Sequence, residues 1–380
     1  MTVTILPVQT QSQRREFVRV ARRINADKPL WVPNLESESL KEITPAKNPF
    51  YEHATAQLFL ASHNGQAVGR IAAIENPRHN EHWKDRVGFF GHYECIDDLE
   101  VSQALYSTAE QWLRERNLTS MRGPTNPAMN TSAGFLSGGF EYTPTIPMPY
   151  TPAYYLHQAE AYGLRPAMEL LVYGFKFEEH SQAEKDNTWE RVQRMSNFVQ
   201  KRANVRVRTV QMDAISEELE HVRSICNISL KDNWGYIPMT PAELEAARDE
   251  LQGIVDPALF LFAEIDGQPE AVFIACPDYN ELLKKMDGRL FPTGWWTYLR
   301  QRRHIKKHVI YVYAATPKAY AVGAGAVLYE NFFGECLRRG IAHLETGYIL
   351  DSNTKMRNSI EKFGAEIWKR YQLFEKDFKV

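Results

Sequence analysis

Cysteine is scarce in this chain of 380 residues, and the four that it has lie far apart: Cys95, Cys226, Cys276 and Cys336. No CxxC pair exists, so the sequence predicts neither a zinc ribbon nor a redox dithiol, and so few cysteines do not make a disulfide framework. An excess of charge is also missing, since the formal net charge is −2, and this disfavours a general nucleic-acid binder. We expect reduced thiols in a cytoplasmic protein with no nucleic-acid partner.

Long apolar runs are likewise absent from the sequence. No stretch approaches the roughly 18 apolar residues of a membrane-spanning helix, and residues 1–17 lack the apolar core and the cleavage site of a signal peptide. At about 150 residues per domain, the length predicts two domains, each large enough to bury its own core.

The order of predicted elements repeats along the chain. Both units are predicted to run strand, helices, hairpin, strand, turn, helix, strand, helix and strand, and Asn64-Gly65 and Asp266-Gly267 mark the two hairpins. We therefore predict an N-terminal domain at 1–175, a connecting helix at 176–204 and a C-terminal domain at 205–380.

The clearest local motif is a glycine loop in the second unit. Gly323-Ala324-Gly325 follows a predicted strand (308–316) and opens a predicted helix (324–339). Glycines let a ligand approach the backbone closely, and the N–H groups of a helix N-terminus attract anions. The loop is either a phosphate site or a helix start at which small residues pack against the sheet, and the spacing alone leaves both open.

This loop resembles the pyrophosphate loop of the GNAT acyltransferase family, Q/R-x-x-G-x-G/A after the central strand. Tyr320 stands where Gln or Arg is usual in that motif. A later segment, 353–365, keeps the Asn, Lys and Gly of a second family motif but has Ile360 in place of its tyrosine. The resemblance implies an acyl-CoA co-substrate and no metal. The residues implied to hold acyl-CoA are Tyr320, Val322, Gly323, Ala324, Gly325, Ala326 and Asn353.

The first unit resembles the same fold without the loop. Its central strand is followed by Asp97, Asp98 and Glu100, which would repel a pyrophosphate but suit a helix N-cap. The resemblance implies an α/β (α+β mixed-sheet) fold with two GNAT-like acyl-CoA N-acyltransferase domains in tandem, of which the first has no cofactor site. The whole sequence is also similar to bacterial proteins of this plan that include ceramide synthases, which implies N-acylation of a long-chain base. The similar runs are NPFYEHA, VGRIAAIEN, GFFGHYE, RGPTNPAMN and PYTPAYY.

Acyl transfer to an amine needs a base, donors for the oxyanion and an acid for the thiolate. Glu345 interrupts an apolar strand; burial would raise its pKa and suit it as the base, and a solvent-facing position is the alternative. Tyr313 and Tyr320 are the candidate acids, with plain packing in the sheet as the alternative for each. His92 and Glu94 share one strand face, so they form a second acid/base candidate or a solvent-facing polar stripe.

Three further side chains are candidate contacts for the acceptor. Asn126 and Asn130 lie in a loop rich in proline, and Tyr150 stands between prolines, with turn capping and packing as the alternative roles. His79 and His82 lie in a predicted loop without a third ligand, so we predict no metal site.

Aromatic and basic residues are concentrated at 295–308. This composition is typical either of a packed helix with a solvated basic side or of a segment that contacts an anionic membrane surface.

The sequence thus favours an N-acyltransferase that moves an acyl group from acyl-CoA to a small-molecule or lipid amine, with peripheral contact at the inner membrane face through 295–308. A non-catalytic GNAT-fold binding protein is the alternative; Tyr320 and Ile360 favour it, and it would have the Tyr320 side chain filling the pyrophosphate site. An aminoacyl-tRNA-dependent transferase is a third interpretation, supported only by the basic residues of 300–308.

Overall fold

The computed structural model describes residues 3–379, apart from the side chains of residues 249–253. The strands are β1 Thr4–Pro7, β2 Thr55–His63, β3 Gln66–Glu75, β4 Val87–Cys95, β5 Ser120–Gly123, β6 Thr125–Asn126, β7 Ser132–Ala133, β8 Phe135–Gly138, β9 Arg165–Lys176, β10 Val205–Thr209, β11 Phe260–Ile265, β12 Gln268–Pro277, β13 Lys307–Ala315, β14 His343–Thr346, β15 Ile349–Leu350 and β16 Glu366–Asp377. The α-helices are α1 Gln11–Asn25, α2 Glu36–Glu42, α3 Pro77–Trp83, α4 Leu99–Arg114, α5 Tyr154–Ala161, α6 Gln182–Gln200, α7 Ile215–Ser229, α8 Pro241–Ile254, α9 Asn280–Lys285, α10 Gly294–Gln301, α11 Pro317–Val322, α12 Gly325–Arg339 and α13 Thr354–Glu361.

One mixed sheet runs through both units. Its strand order is β1-β2-β3-β4-β5-β16-β9-β14-β13-β12-β11-β10, with β8 paired to β16 and β15 paired to β9 at the side of this path. Helices α4 and α5 cover one face of the first unit and α1 the other. In the second unit α12 and α6 cover one face and α7 and α8 the other. The molecule is therefore a three-layer α/β structure in which each unit keeps its own core.

The last strand of each unit pairs across the boundary between the units. β16 lies antiparallel to β5, with Phe374 opposite Gly123, and β9 lies antiparallel to β14, with Phe175 opposite Leu344. β9 and β16 also pair with each other along most of their length. Each half of the sheet is thus completed by a strand from the other half of the sequence, while the predicted boundaries at 175 and 205 stay a prediction.

The two predicted hairpins are present. Asn64 and Gly65 join β2 to β3 with φ of 52° and 78°, and Asp266 and Gly267 join β11 to β12 with φ of 56° and 78°. Two consecutive residues with positive φ form the hairpin turn that matches the twist of the strands, and asparagine, aspartate and glycine tolerate that backbone best. The acidic turn of the first unit is also a helix cap as predicted, since Asp98 accepts the N–H groups of Glu100 and Val101.

Two local predictions are wrong. His79 and His82 lie in the helix α3 rather than in a loop, because Asn76 caps it and Pro77 occupies its first turn. The terminal residues form one long strand, β16, where the sequence runs AEIWKRY and LFEKDF predict a pair of strands. Its pairing with β9 shifts register between Ile367 and Lys369 and between Leu373 and Phe374, and the strand continues through both shifts.

Candidate active site

The central strand of the second unit, β13, carries a bulge at Tyr311. Val312 pairs with Ile274 of β12 and Ile310 pairs with Ala275, so Tyr311 is the extra residue between them. On its other side β13 pairs with β14 from Lys307 to Ile310 and no further. The carbonyl of Ile310 accepts the N–H of Gly347 at 2.9 Å.

Beyond this point the two neighbouring strands separate. The chain after β14 turns away, and β15 pairs with β9 instead of β13. Residues 312–315 therefore have no strand partner on this side within residues 3–379. Tyr311, which is 40% exposed, comes directly before this edge. We call residues 312–315 the open edge.

The glycine loop follows the open edge along the chain, after the short helix α11. Thr316 caps α11, and the loop ends that helix at Gly323 with φ of 78°. Ala324 donates its N–H to the carbonyl of Ala319 at 3.0 Å, and α12 begins at Gly325. No acceptor among the described residues receives the N–H of Gly325, so this donor points to a place where an anion could bind.

Tyr313 and Gly325 are in close contact across this site. A Cβ on Gly325 would lie 2.5 Å from the hydroxyl oxygen of Tyr313, so a larger residue there would have to displace the Tyr313 side chain. The Tyr313 ring stacks on Tyr329 at 5.6 Å, and burial raises the pKa of Tyr313. The structure therefore brings Tyr313 to the glycine loop, although its predicted role as the acid stays a prediction.

Tyr320 does not fill the loop. Its side chain is 61% exposed, and the ammonium of Lys355 lies 5.8 Å from its ring. Lys355 follows Asn353, which caps α13 by accepting the N–H of Met356 at 3.2 Å. Tyr320, on the helix before the loop, thus faces the start of α13, where Lys355 adds a positive charge.

Glu345 lies on β14 but is completely buried. Its carboxylate contacts Lys369 at 2.5 Å and Lys307 at 2.6 Å, and Thr145 donates to it at 3.1 Å. Burial opposes the charge, but the two lysines outweigh burial and lower the pKa of Glu345. The predicted rise in its pKa is therefore wrong, and so is a solvent-facing position; the catalytic role stays a prediction.

A second acid belongs to the same buried cluster. Asp278 lies 3.8 Å from Lys307, and burial raises the pKa of Asp278 to about 6 despite that lysine. Two lysines thus meet two carboxylates beneath residues 143–145, where the carbonyl of Thr143 also accepts from Lys369 at 3.0 Å. The cluster pairs two lysines with two carboxylates and joins β13, β14 and β16.

In the first unit the equivalent opening is filled by protein. β4 has a bulge at His92, whose φ is 47°, and the His92 N–H donates to Asn126 at 2.6 Å. The chain passes so close that a Cβ on Gly91 would lie 1.6 Å from the carbonyl oxygen of Thr125. Asn126, predicted to contact the acceptor, is here the partner of a backbone N–H group.

His92 and Glu94 both lie beside Arg70, as expected for residues on one face, but neither faces solvent. Glu94 accepts from Tyr155 at 2.7 Å and from Asn25 at 2.8 Å, and burial raises the pKa of Glu94. Burial, helped by Arg70, lowers the pKa of His92 to about 3. The predicted alternative of a solvent-facing polar stripe is therefore wrong. The acid/base role of His92 and Glu94 stays a prediction.

The two other predicted acceptor contacts lie at the boundary of the units. Asn130 donates to the carbonyl of Ile237 in the second unit at 2.9 Å. Tyr150 packs against a buried apolar cluster that both units form, which includes Leu136, Leu170, Val309 and Leu373. Within residues 3–379, no group of three or more His, Cys, Asp or Glu side chains could hold a metal ion.

No family model matches the chain, but two curated proteins align with nearly all of it. Protein YghO of Escherichia coli (strain K12) is 30% identical over 369 residues, 95% of this chain and 92% of that protein. The chain belongs to the YghO family. A second relative, bacterial ceramide synthase of Caulobacter vibrioides, is 29% identical over 98% of this chain and 97% of that protein, so the predicted likeness to a group that includes ceramide synthases is confirmed.

Solved structures show the fold of this YghO family member. A tandem GNAT protein from the clavulanic acid biosynthesis pathway matches 99% of this chain and 98% of that chain, with a TM-score of 0.59 and 9% identity. A GCN5-related N-acetyltransferase from Sphaerobacter thermophilus covers 99% of this chain, with a TM-score of 0.54 and 13% identity. The predicted tandem GNAT-like fold is confirmed.

Sequence reasoning missed two residues of this site. Tyr311 was one of several aromatic residues on its strand, and nothing in the sequence marks where a bulge falls. Lys355 had a signal, since it stands two residues after the motif asparagine Asn353 and so within the first turn of the helix that faces the loop.

Proposed function

We propose that the protein is an N-acyltransferase that transfers an acyl group from acyl-CoA to an amine. The amine nitrogen forms a bond to the thioester carbonyl carbon, and the carbon–sulfur bond breaks. The amine gives up a proton, and the departing thiolate of CoA takes one up. The observation that carries the proposal is the open edge of β13 ending in the glycine loop.

The described residues fit acyl-CoA. On the side away from β12, residues 312–314 have no strand partner among the described residues, and their backbone groups on that side suit an extended chain with amide groups, which would add to the sheet as a strand does. The N–H of Gly325, the N-terminus of α12 and the ammonium of Lys355 suit phosphates. Gly323 and Ala326 keep this approach free of large side chains, while Ala324 is buried. Tyr320 leaves the loop free, which favours the enzyme over the non-catalytic alternative.

We infer that the acceptor is a long-chain base. Tyr348, the residue after Gly347, packs against a buried apolar cluster that both units form; Met129, Tyr150, Met168, Trp234 and Leu350 pack against the same cluster. Such a wall suits a hydrocarbon chain. The relative from Caulobacter is named a ceramide synthase, which supports the same class of acceptor.

We assign the chemistry to the open edge. Its backbone N–H groups would stabilise the oxyanion, since fixed donors cost no reorganisation when charge develops. Tyr311 is our choice for the proton donor to the thiolate, because it is the exposed residue at the bulge. Tyr313 borders the glycine loop instead. Glu345 has no exposed surface, so we give it no proton-transfer step.

The enzyme of this proposal works in the cytoplasm at the inner membrane face, where a long-chain base resides. Among the helices of the described residues, none has the length and apolar character to cross a bilayer.

The direct test is amide formation from a long-chain base and acyl-CoA, detected by mass spectrometry. Ala326→Asp places a carboxylate in the first turn of α12, which suits the helix but repels phosphates. We expect it to weaken acyl-CoA binding more than about 100-fold in calorimetry. Ala326→Asn is the matched neutral control, with an effect below about fivefold. If wild type forms no amide and binds no acyl-CoA, the proposal fails.

A further inference from the structure

Residues 289–306 form an insertion between β12 and β13 with an unusual composition. They contain five arginine or lysine residues and no aspartate or glutamate, although the whole chain has a net charge of −2. The segment also carries Phe291, Trp295, Trp296 and Leu299. We call residues 289–306 the aromatic segment.

The helix of the aromatic segment, α10, packs on one side only. Its Tyr298 contacts Tyr279 at 5.8 Å above a small core of Leu282, Met286 and Ile305. The other side is uncovered. The exposed fractions are 79% for Phe291, 44% for Trp295, 52% for Trp296 and 49% for Leu299.

The basic residues around these side chains lack counter-charges. Arg289, Arg300, Arg302 and Arg303 are exposed and form no ion pair within residues 3–379. Arg300 lies 5.5 Å from the ring of Trp296. A buried protein interface would leave such charges without partners, whereas lipid phosphates would supply them.

The position of the aromatic segment separates it from the acyl-CoA site. It leads into Lys307 at the start of β13, whereas Gly325 of the glycine loop lies against Tyr313, six residues and about 20 Å further along that strand. A surface bound here leaves the loop open to acyl-CoA from the aqueous side.

We propose that the aromatic segment docks the protein on a bilayer that contains anionic lipids. Tryptophan and phenylalanine enter the interface between headgroups and acyl chains, and the arginines bind lipid phosphates. Binding itself does not depend on the proposed acyl transfer. The further idea, that a membrane-held base enters at this end of the strand, rests on the proposed function.

Flotation with vesicles tests the docking. We expect wild type to bind vesicles of phosphatidylcholine with about 30% phosphatidylglycerol, and neutral phosphatidylcholine more than about tenfold more weakly. Two variants should each lose more than about tenfold in binding. One removes apolar contacts, F291S/W296S/L299S, and the other reverses charge, R302E/R303E.

The matched control is Phe198→Ser on α6. Phe198 is 54% exposed and has Arg202 over its ring at 4.0 Å, the same helical pairing as Trp296 with Arg300. We expect it to bind vesicles as wild type does. Equal loss in this control, or equal binding of wild type to neutral and anionic vesicles, overturns the proposal. So does a dimer that the apolar variant dissociates while vesicle binding is absent, because the segment would then contact a second copy.

Activity separates this proposal from the proposed function. With a short, water-soluble amine the two docking variants should keep wild-type turnover, and with a base held in anionic vesicles they should lose more than about tenfold. If the protein binds vesicles but forms no amide, the docking proposal holds and the proposed acyltransferase function fails.

Discussion

The central strands of the two halves carry the same bulge with opposite surroundings. In β4 the bulge residue is His92, which is 7% exposed, and in β13 it is Tyr311, which is 40% exposed. Asn126 and Thr125 fill the space beside the first bulge, whereas the neighbouring strand turns away from the second. The same backbone feature is thus closed by packing in one half and left open for a ligand in the other.

The turns that follow these two strands also differ, because one is closed by a protein side chain and the other leaves a backbone donor for a ligand. After β4, Asp98 caps α4 with its carboxylate, so the donors of that helix are already used by the protein. After β13, the loop of small residues leaves the N–H of Gly325 without a protein acceptor. A helix N-terminus attracts one anion, and the sequence decides whether the protein or a ligand supplies it.

Replacing Gly91 with alanine should have the largest effect, because its Cβ would lie 1.6 Å from the carbonyl oxygen of Thr125. We expect a loss of about 3 kcal/mol or more in the free energy of unfolding, measured with urea. Gly347→Ala is the counterpart in the open half, where the Cβ would lie 3.2 Å from the carbonyl oxygen of Ile310, and we expect less than about 1 kcal/mol. Equal losses would break the contrast between filled and open halves.

Tyr311→Phe tests the open half by rate. We expect kcat to fall about 100-fold with little change in KM for acyl-CoA, because the hydroxyl would act on the thiolate and not in binding. Steady-state kinetics with thiol detection measures both constants, and thermal unfolding checks the fold. An unchanged kcat would remove Tyr311 from the mechanism, and a change confined to KM would give it a binding role.

His92→Asn tests the filled half by pH. His92 has a folded pKa of about 3 against about 6.5 unfolded, so the unfolded state binds the extra proton between these values. The free energy of unfolding is therefore unaffected by the titration of His92 above about pH 6.5. It decreases on acidification, by about 2 kcal/mol at pH 5. Asparagine does not titrate and tolerates the positive φ. Urea unfolding should show a shallower pH dependence for the variant, and parallel curves would contradict the burial of His92.

Asn126→Ala should have the smallest effect, about 1 to 2 kcal/mol of stability, because the N–H of His92 loses its buried acceptor. We expect no change in KM for the amine. Measuring both quantities separates the two roles of this residue. A raised KM with unchanged stability would restore its predicted contact with the acceptor.

Features that depend on neighbours in sequence were predictable. Positive φ at Asn64-Gly65 follows from the two residue types, and so does the cap at Asp98. The glycine loop and Asn353 carry recognisable spacing, and each falls where its motif predicts. Local steric and hydrogen-bonding preferences decide these features, and they act over a few residues.

Features that depend on distant partners were not predictable. Glu345 interrupts an apolar strand, but its two lysines come from other strands, and they turn an expected rise in pKa into a fall. The bulge at Tyr311 depends on the register between β12 and β13. Pairing of β16 with β5 joins the C-terminal strand to residues 120–123 of the first unit, and no periodicity shows it.

The sequence by itself determined the two-unit plan, the hairpins and the loop of small residues that leaves a helix N-terminus accessible. Only the tertiary structure decided which unit has an open edge, which acid is paired with lysines and which half each terminal strand completes. The reason is physical: backbone preference is set by adjacent residues, whereas burial, charge pairing and strand pairing depend on groups that only folding brings together.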